Sequence, residues 1–598
     1  MIILGVSYLA DAGACVVKDG VLKSVINEER LNRIKLFYGI PEMSIKWCLK
    51  DAGLKMEDVD VIVTQGYCSD EPRIEFIDHG LKNEAGRREE AFEYVYDKIR
   101  HSRLSPKDKR QKIDEVKMRY GHENTVMFSR NITIVRQLRK FKKPIKVVEH
   151  HISHAAGAYF ASGWNSAYVI TSDGWGEVES NIFCRARDGK LEKIYYSHSF
   201  DSLGYFYGGI TRALGFTPKR HEGKVLSLAA CGRPQKAMPW MKKMIYYNPK
   251  EKRFEAGFES GIYTAKFENA VLERLVKRHK KEDVAAAAQK VLEKTVCEYV
   301  EDVVPANSKL VVAGGIFANV RLNQKISELP NIRDIFVYPQ MTDGGLAAGS
   351  ALYLYSRQKK LRSVAIDSLY KGPAFDNASV LKEIKRFGYA HRYHEDIEKK
   401  IAELLTQNNV VMRFTGRMEY GPRALGNRSI LFTTMDRTVN GWLNAALGRS
   451  KFMPFAPVTL KEKAQDCYKN IRNCWRRALY MTITFDCTDW MKKISPGVVH
   501  IDGTARPQLV TKDSNPSLYK ILKHYYRLSG IPSLINTSFN MHEEPIVCSP
   551  QDALHAFHES KLKYLAIENY LVSLERDDIL FQANNCKKGY GQDCKARE

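Results

Sequence analysis

Glu149-His150-His151-Ile152-Ser153-His154 sets two histidines, His150 and His154, four residues apart. On a helix that spacing turns both imidazoles to one face, where they can share a metal ion. The order is not that of a His-Glu-x-x-His peptidase: the glutamate lies outside the pair, so no general base sits between the rings. Three of the 16 histidines crowd into this segment, ahead of the small residues Ala155 and Ala156. Two acidic turns offer further ligands. Asp173 stands in Ser172-Asp173-Gly174 and Asp343 in Thr342-Asp343-Gly344-Gly345, each after an apolar run that reads as a strand. Two imidazoles with carboxylate oxygens suit iron, manganese or zinc and leave coordination positions for substrate. The plainer reading of each aspartate is a turn residue capping the next helix.

Two further constellations suit anions. In Val311-Val312-Ala313-Gly314-Gly315-Ile316-Phe317-Ala318-Asn319 an apolar strand runs into paired glycines, whose amides can approach a phosphate or ribose. The segment lacks the Gly-Lys-Ser/Thr of a P-loop. The loop Gly416 to Ser429 carries Arg417, Arg423 and Arg428 among Gly and Pro, a forked donor array for phosphate or carboxylate. Arg449, Lys451, Arg506 in Asp502-Gly503-Thr504-Ala505-Arg506, and Asn536 and Ser538 in Asn536-Thr537-Ser538-Phe539-Asn540 extend it into a polyanion pocket. A merely solvated charge run would not need this Gly/Pro scaffold.

The elements that must position these residues form a repeated pattern. Ile2 to Ser7, an acidic turn at Asp11, Ala14 to Val17 and the turn Asp19-Gly20 are echoed by Ala167 to Ile170, Asp173, Asn181 to Cys184 and Asp188-Gly189. Strand, acidic turn, strand and tight Asp-Gly hairpin occur twice. That repetition predicts a duplicated α/β domain with Asp11 and Asp173 facing one cleft from opposite halves. Val284 to Val303 reads as a connecting helix. A basic, mixed segment from Ser356 to Lys371 marks a boundary, after which Val410 to Phe414 and Leu479 to Phe485 read as strands.

The chain has 598 residues, 44% hydrophobic and 11% aromatic, enough for several cores and too apolar for a disordered chain. No long apolar run predicts a membrane span, and the first residues do not read as a signal peptide. The 12 cysteines are scattered with no Cys-x-x-Cys, which fits reduced thiols in a cytoplasmic protein and excludes a zinc-finger reading. The net charge of +24 fits an anionic substrate, a nucleic-acid partner or a solvated surface, with much of it between Lys107 and Lys146.

With these residues in view, the chain from 1 to about 575 resembles the O-carbamoyltransferase family of the NodU/CmcH type. The most specific blocks are His150 to Ala155, Gly416 to Ser429, Pro454-Phe455-Ala456-Pro457, Asp502 to Arg506 and Asn536 to Asn540. The resemblance implies an α/β fold: a duplicated actin-like ATPase (ASKHA) domain over residues 1–360, a YrdC-like α/β domain over 373–575 and a polar tail over 576–598. It implies that carbamoyl phosphate and ATP, the latter with magnesium, give carbamoyl adenylate and pyrophosphate in the YrdC-like domain. The carbamoyl group then passes to a hydroxyl of a small natural product, sugar or glycan, assisted by a metal centre that is typically iron.

Carried over, His150, His154, Asp173 and Asp343 match the metal ligands, and Gly314, Gly315 and Asn319 the adenosine-binding loop. Arg423, Arg449, Lys451, Arg506, Asn536 and Ser538, with Arg417 in the same loop, match the carbamoyl-phosphate and ATP pocket. The first acidic turn departs from the family: Leu9-Ala10-Asp11 has alanine where the family usually has histidine, so Asp11 or a metal-bound group must act as base. A threonylcarbamoyl-type tRNA-modifying enzyme and a catalytically altered nucleotide-binding relative are the alternative readings. The acceptor, which can be anionic, and the oligomeric state, a homodimer among the options, are left open by the sequence.

Overall fold

The computed structural model describes residues 1–66, 74–76, 84–102, 104–122, 128–257, 270–366, 368–449 and 454–574. Lys451 and the tail expected at 576–598 lie outside them.

The predicted repetition is present in the sheets. Strand Ile2–Ser7 pairs antiparallel with Gly13–Lys18, which pairs antiparallel with Val21–Asn27; on its other side it runs parallel to Val61–Gln65, followed by Ile145–Val148. The second sheet repeats that order with Ser166–Gly176, Glu179–Arg187 and Lys190–His198 on one side and Ser308–Ala313 and Ile332–Val337 on the other. Both hairpins turn on Asp-Gly. Asp19 and Gly20 have φ of 51° and 79°, and Asp188 and Gly189 have 49° and 82°. Both central residues of such a turn must be left-handed, which aspartate tolerates and glycine adopts freely. The first sheet gains one more strand, Ile74–Phe76, beside Ile145–Val148.

Helices His150–Ser162 and Leu346–Gln358 pack against each other across these sheets. Their small residues allow a close crossing: a Cβ on Gly349 would sit 1.8 Å from the Ser153 carbonyl oxygen. The hydroxyls of Ser153 and Ser350 meet at 2.9 Å in the same contact. The connecting helix expected at Val284 to Val303 spans Lys281–Val303.

After Gln358 a third sheet begins, of eight mixed strands. Its order is His391–Tyr393, Tyr570–Ser573, Tyr564–Ile567, Val411–Phe414, Arg428–Thr433, Ser533–Ser538, Ala456–Leu460, Gln508–Val510. The strand expected from Leu479 to Phe485 is a correction. Only Phe485–Asp486 is extended, paired with Thr504–Ala505. The preceding residues spend their polar groups on helix Val320–Ser327: Asn323 donates to the Thr482 carbonyl at 2.7 Å, and Thr484 Oγ1 donates to Gln324 at 2.7 Å. Those bonds replace a sheet ladder. No helix among the described residues is long and apolar enough to cross a membrane.

Candidate metal centre and anion pocket

Helix His150–Ser162 starts at the first histidine, and its helical spacing brings His150 and His154 together with ring centroids 4.8 Å apart. Asp173 comes from the end of strand Ser166–Gly176, where a bulge after Ser172 breaks the pairing and re-aims the chain. Asp343 opens the short turn before helix Leu346–Gln358. His154 Nε2 lies 3.4 Å from Asp173 and 3.5 Å from Asp343, and His150 Nε2 lies 3.6 Å from Asp343. One ligand atom from each of the four residues falls within 4.8 Å of all the others.

Gly176 keeps room for the rings, since a Cβ there would stand 2.6 Å from His150 and 2.8 Å from His151. His151 points the other way and is structural: Nδ1 meets Thr171 Oγ1 at 2.8 Å and Nε2 meets the Glu179 carbonyl at 3.2 Å.

Burial lowers the pKa of His150. It acts on His154 as well, but Asp173 and Asp343 outweigh it and raise that imidazole to about 9. Burial pushes the Asp173 carboxyl up, yet its contact with His154 prevails and holds it well below the carboxylate range. The donor set fits a divalent cation by its chemistry. The buried Nε2 atoms of His150 and His154 face the two carboxylates at 3.4–3.6 Å, longer than an ordinary hydrogen bond, a spacing that suits ligands gathered round one ion.

Asp11 stands beside this cluster in a left-handed turn, φ 68°. Its Oδ2 accepts from Gln340 Nε2 at 3.1 Å and from Thr342 Oγ1 at 3.2 Å, one residue before Asp343. Burial and the nearby Glu29 push its carboxyl well above the usual range. The paired glycines use their amides internally: Gly314 donates to the Met341 carbonyl at 2.7 Å and Gly315 to Asp173 Oδ2 at 3.2 Å. Asn319 caps helix Val320–Ser327 by accepting from the Leu322 amide at 3.1 Å. These three residues therefore shape the wall at Asp173, and their amides do not stand open as a phosphate cradle.

Arg423, Arg449, Arg506, Asn536 and Ser538 line one cavity of about 290 Å³. Arg449 is held from one side by Thr537 Oγ1 at 2.8 Å, the Ser538 carbonyl at 2.8 Å and Asn540 Oδ1 at 3.0 Å. No carboxylate among the described residues pairs with it, and burial lowers its pKa to about 10. Burial lowers Arg423 to about 10 as well. Arg506 is pushed well down by burial and then by the charge of Arg423. Neither of these two guanidiniums has an ion-pair or hydrogen-bond partner among the described residues, and Arg423 Nε is buried unpaired. Two adjacent, half-buried cations without an ion-pair partner among the described residues call for an anion.

Two loop arginines need correction. Arg417 is not in the cavity: it pairs with Asp51 at 2.8 Å and donates to the Lys371 carbonyl at 2.7 Å. Arg428 is fully buried over the Phe414 ring and donates to the carbonyls of Thr415, Asn427, Pro373 and Gly416. Both hold the loop. Its turn is wound round Glu419, whose Oε1 accepts from the amides of Leu425, Asn427 and Arg428 at 2.8, 2.7 and 3.2 Å. Only Arg423 of the three reaches the cavity.

The N-terminal half supplies residues that the sequence reading did not assign to the pocket: Lys35, Arg220, His221 and Lys224. Lys35 follows a buried charged turn whose arginines grip the far loops. Arg30 donates to the Gly421 carbonyl at 3.1 Å, and Arg33 to the carbonyls of Ile546 and Pro545 at 2.7 Å each. The available signal was the density of charge in Asn27 to Lys35, where Glu28, Glu29, Arg30, Arg33 and Lys35 fall within nine residues. His542 and Glu543 complete the wall.

Family models for the carbamoyltransferase N-terminus and C-terminus match residues 2–352 and 402–574. An uncharacterized protein of Methanocaldococcus jannaschii is 33% identical over 74% of this chain and 76% of that protein. An uncharacterized Synechocystis protein is 29% identical over 96% of both chains. The nodulation protein NolNO of Sinorhizobium fredii is 28% identical over 95% of this chain and 79% of its own length.

Proposed function

The chain belongs to the carbamoyltransferase family, and from that premise we propose that it is an ATP-dependent O-carbamoyltransferase that works through carbamoyl adenylate. Residues 1–360 form its actin-like transfer domain and residues 373–575 a YrdC-like activating domain. The observation that carries the reading is the pair Arg423 and Arg506, two half-buried guanidiniums that face one cavity and have no ion-pair partner among the described residues.

Carbamoyl phosphate is a small dianion, and those two forks with Arg449 bind it and the phosphates of ATP. Atom balance requires one water in the activation. Water cleaves carbamoyl phosphate to carbamate and phosphate; a carbamate oxygen then attacks the α-phosphorus of ATP, and the bond to the β-phosphate breaks to release pyrophosphate. The arginines hold the reacting anions together and offset their mutual repulsion. Asn536, whose Nδ2 donates to the Ala424 carbonyl at 3.2 Å and to Gln508 at 2.7 Å, turns its remaining buried oxygen to the same cavity and orients an amine or hydroxyl donor.

In the transfer step the acceptor hydroxyl attacks the carbamoyl carbon and AMP leaves with the electrons of the broken C–O bond. Asp11 takes the hydroxyl proton, its basicity raised by burial. His150, His154, Asp173 and Asp343 would hold a divalent metal, iron first, with manganese or zinc also compatible. Such an ion polarises a carbonyl oxygen as a Lewis acid. Enclosure between the two halves keeps water from the adenylate. The acceptor is a hydroxyl of a small natural product, sugar or glycan.

The test is pyrophosphate release from purified, metal-loaded protein. Release that requires carbamoyl phosphate and ATP together supports the reading. No release with both present, at any acceptor, sinks it.

A further inference from the structure

Glu543 is the one carboxylate among the described residues that line the arginine cavity. The same wall carries Lys35, Arg220, Lys224, Arg423, Arg449 and Arg506. Glu543 comes from the turn after Asn540, beyond the third sheet, and reaches across to the N-terminal half. Its Oε1 lies 2.9 Å from His221 Nε2 and its Oε2 3.4 Å from Arg220 Nη1.

The tautomer of His221 follows from the backbone. The Thr217 amide donates to Nδ1 at 3.1 Å, so in the neutral ring the proton is on Nε2 and points at Glu543. The His221 hydrogen bond in turn holds the Glu543 carboxyl below its usual range, so it is ionised at neutral pH. Glu543 has φ of 63°, a left-handed conformation that non-glycine residues seldom adopt. The side chain is 38% exposed, and the turn that carries it is pinned by Asn540, whose Nδ2 donates to the carbonyls of Met541 and Glu544 at 2.7 and 2.9 Å. What the turn achieves is to present two carboxylate oxygens to the His221 N–H and the Arg220 guanidinium, with His542 Nε2 3.5 Å from Oε1, the kind of donors that phosphate oxygens take.

We propose that Glu543 is a tethered competitor for the pyrophosphate moiety: it yields Arg220 and His221 to the incoming triphosphate and retakes them as pyrophosphate leaves. The proposal rests on the reading of this cavity as the site of ATP activation. Its physical basis is charge. A wall of six cations would retain a polyanionic product, and product release limits many enzymes. A carboxylate on a short turn competes at high effective concentration, so it lowers the affinity for pyrophosphate without a diffusing counter-ion. Glu543 is therefore a residue that sets product release; it takes no part in bond making.

The experiment is a calorimetric titration of inorganic pyrophosphate into the full-length wild type and into Glu543→Gln, with thermal unfolding of both as the check on folding. Removing one negative charge from the site should tighten pyrophosphate binding by about tenfold. In turnover, kcat and the KM for ATP should fall together, the pattern of slowed release, with pyrophosphate a stronger product inhibitor. Glu543→Asn is the second variant, with the same direction expected. Arg220→Gln should weaken binding instead. Pyrophosphate binding by a folded Glu543→Gln or Glu543→Asn that equals or falls below wild type overturns the proposal. A wild type that does not bind pyrophosphate at all overturns the reading of the cavity itself, whatever the variants do.

Discussion

The phenol of Tyr420 donates to the carbonyl oxygen of Gly344 at 2.9 Å in a fully buried contact. Gly344 follows the metal-ligand candidate Asp343, and Tyr420 precedes Arg423 by three residues, so this bond ties the cation cluster to the anion cavity. Tyr420→Phe leaves the Gly344 carbonyl one donor short. We expect a loss of about 1–2 kcal/mol in stability, read by denaturant unfolding. Carbamoyl transfer should fall more than pyrophosphate release; an equal fall in both steps would show that the bond does not couple the two sites.

Arg506→Gln removes one of two adjacent, half-buried cations. The protein without substrate should become more stable, by about 1 kcal/mol, because a like-charge contact and a partly desolvated, unpaired charge disappear. Pyrophosphate release should be lost in the same variant. Phosphate or pyrophosphate, which should raise the Tm of the wild type by binding the native state, should raise that of Arg506→Gln far less. A destabilised Arg506→Gln would mean that Arg506 is a structural residue with a partner in solution.

His154→Ala takes away the imidazole that touches both aspartates. Metal content after equilibration with ferrous, manganous or zinc ions should drop at least about tenfold, by analogy with the loss on disturbing a metal's ligand support, as measured by elemental analysis. Pyrophosphate release in the other cavity should persist while transfer to an acceptor is lost. Retention of full metal occupancy would argue against the four-residue ligand set.

Asp201 supplies a pH-dependence of its own, outside the two clusters. Its Oδ1 accepts from the Ala256 amide at 2.7 Å and its Oδ2 from the Tyr94 hydroxyl at 3.1 Å. Burial is the largest cause of a pKa raised to about 6. A carboxyl with a folded pKa above its unfolded one binds the proton more tightly in the native state. Its contribution to stability is thus fully present below about pH 4 and is lost as pH rises through about 6. The difference is on the order of 3 kcal/mol. Asp201→Asn, which keeps an acceptor for Ala256, should flatten the stability profile of the wild type between those two values, followed by urea unfolding at several pH values. An unchanged profile would show that Asp201 is already ionised across that range.

The parts of the molecule that could be read in advance share one property: a few neighbouring residues suffice to specify them. Asp19-Gly20 and Asp188-Gly189 encode left-handed turns by their own backbone preferences, and the pair His150 and His154 encodes one helix face by spacing alone. The repeated order of strands followed from the repeated turns. Where the reading failed, a contact distant in sequence had overridden a local tendency. The apolar run at Leu479 to Thr484 is consumed by bonds to helix Val320–Ser327, and Arg417 and Arg428 are drawn into loop carbonyls and Asp51. Gly314 and Gly315 likewise spend their amides within the fold.

The sequence by itself therefore determined the duplicated α/β plan, the family, and the residue types of the two candidate sites. Only the tertiary structure decided which cations belong to the anion cavity and what opposes them. Lys35, Arg220, Arg423, Arg506 and Glu543 are separated by up to hundreds of positions and carry no common motif. Their meeting depends on how the halves pack, through Arg30 on Gly421 and Arg33 on Pro545 and Ile546. Side-chain type is a local property, whereas the field at a site is a sum over distance.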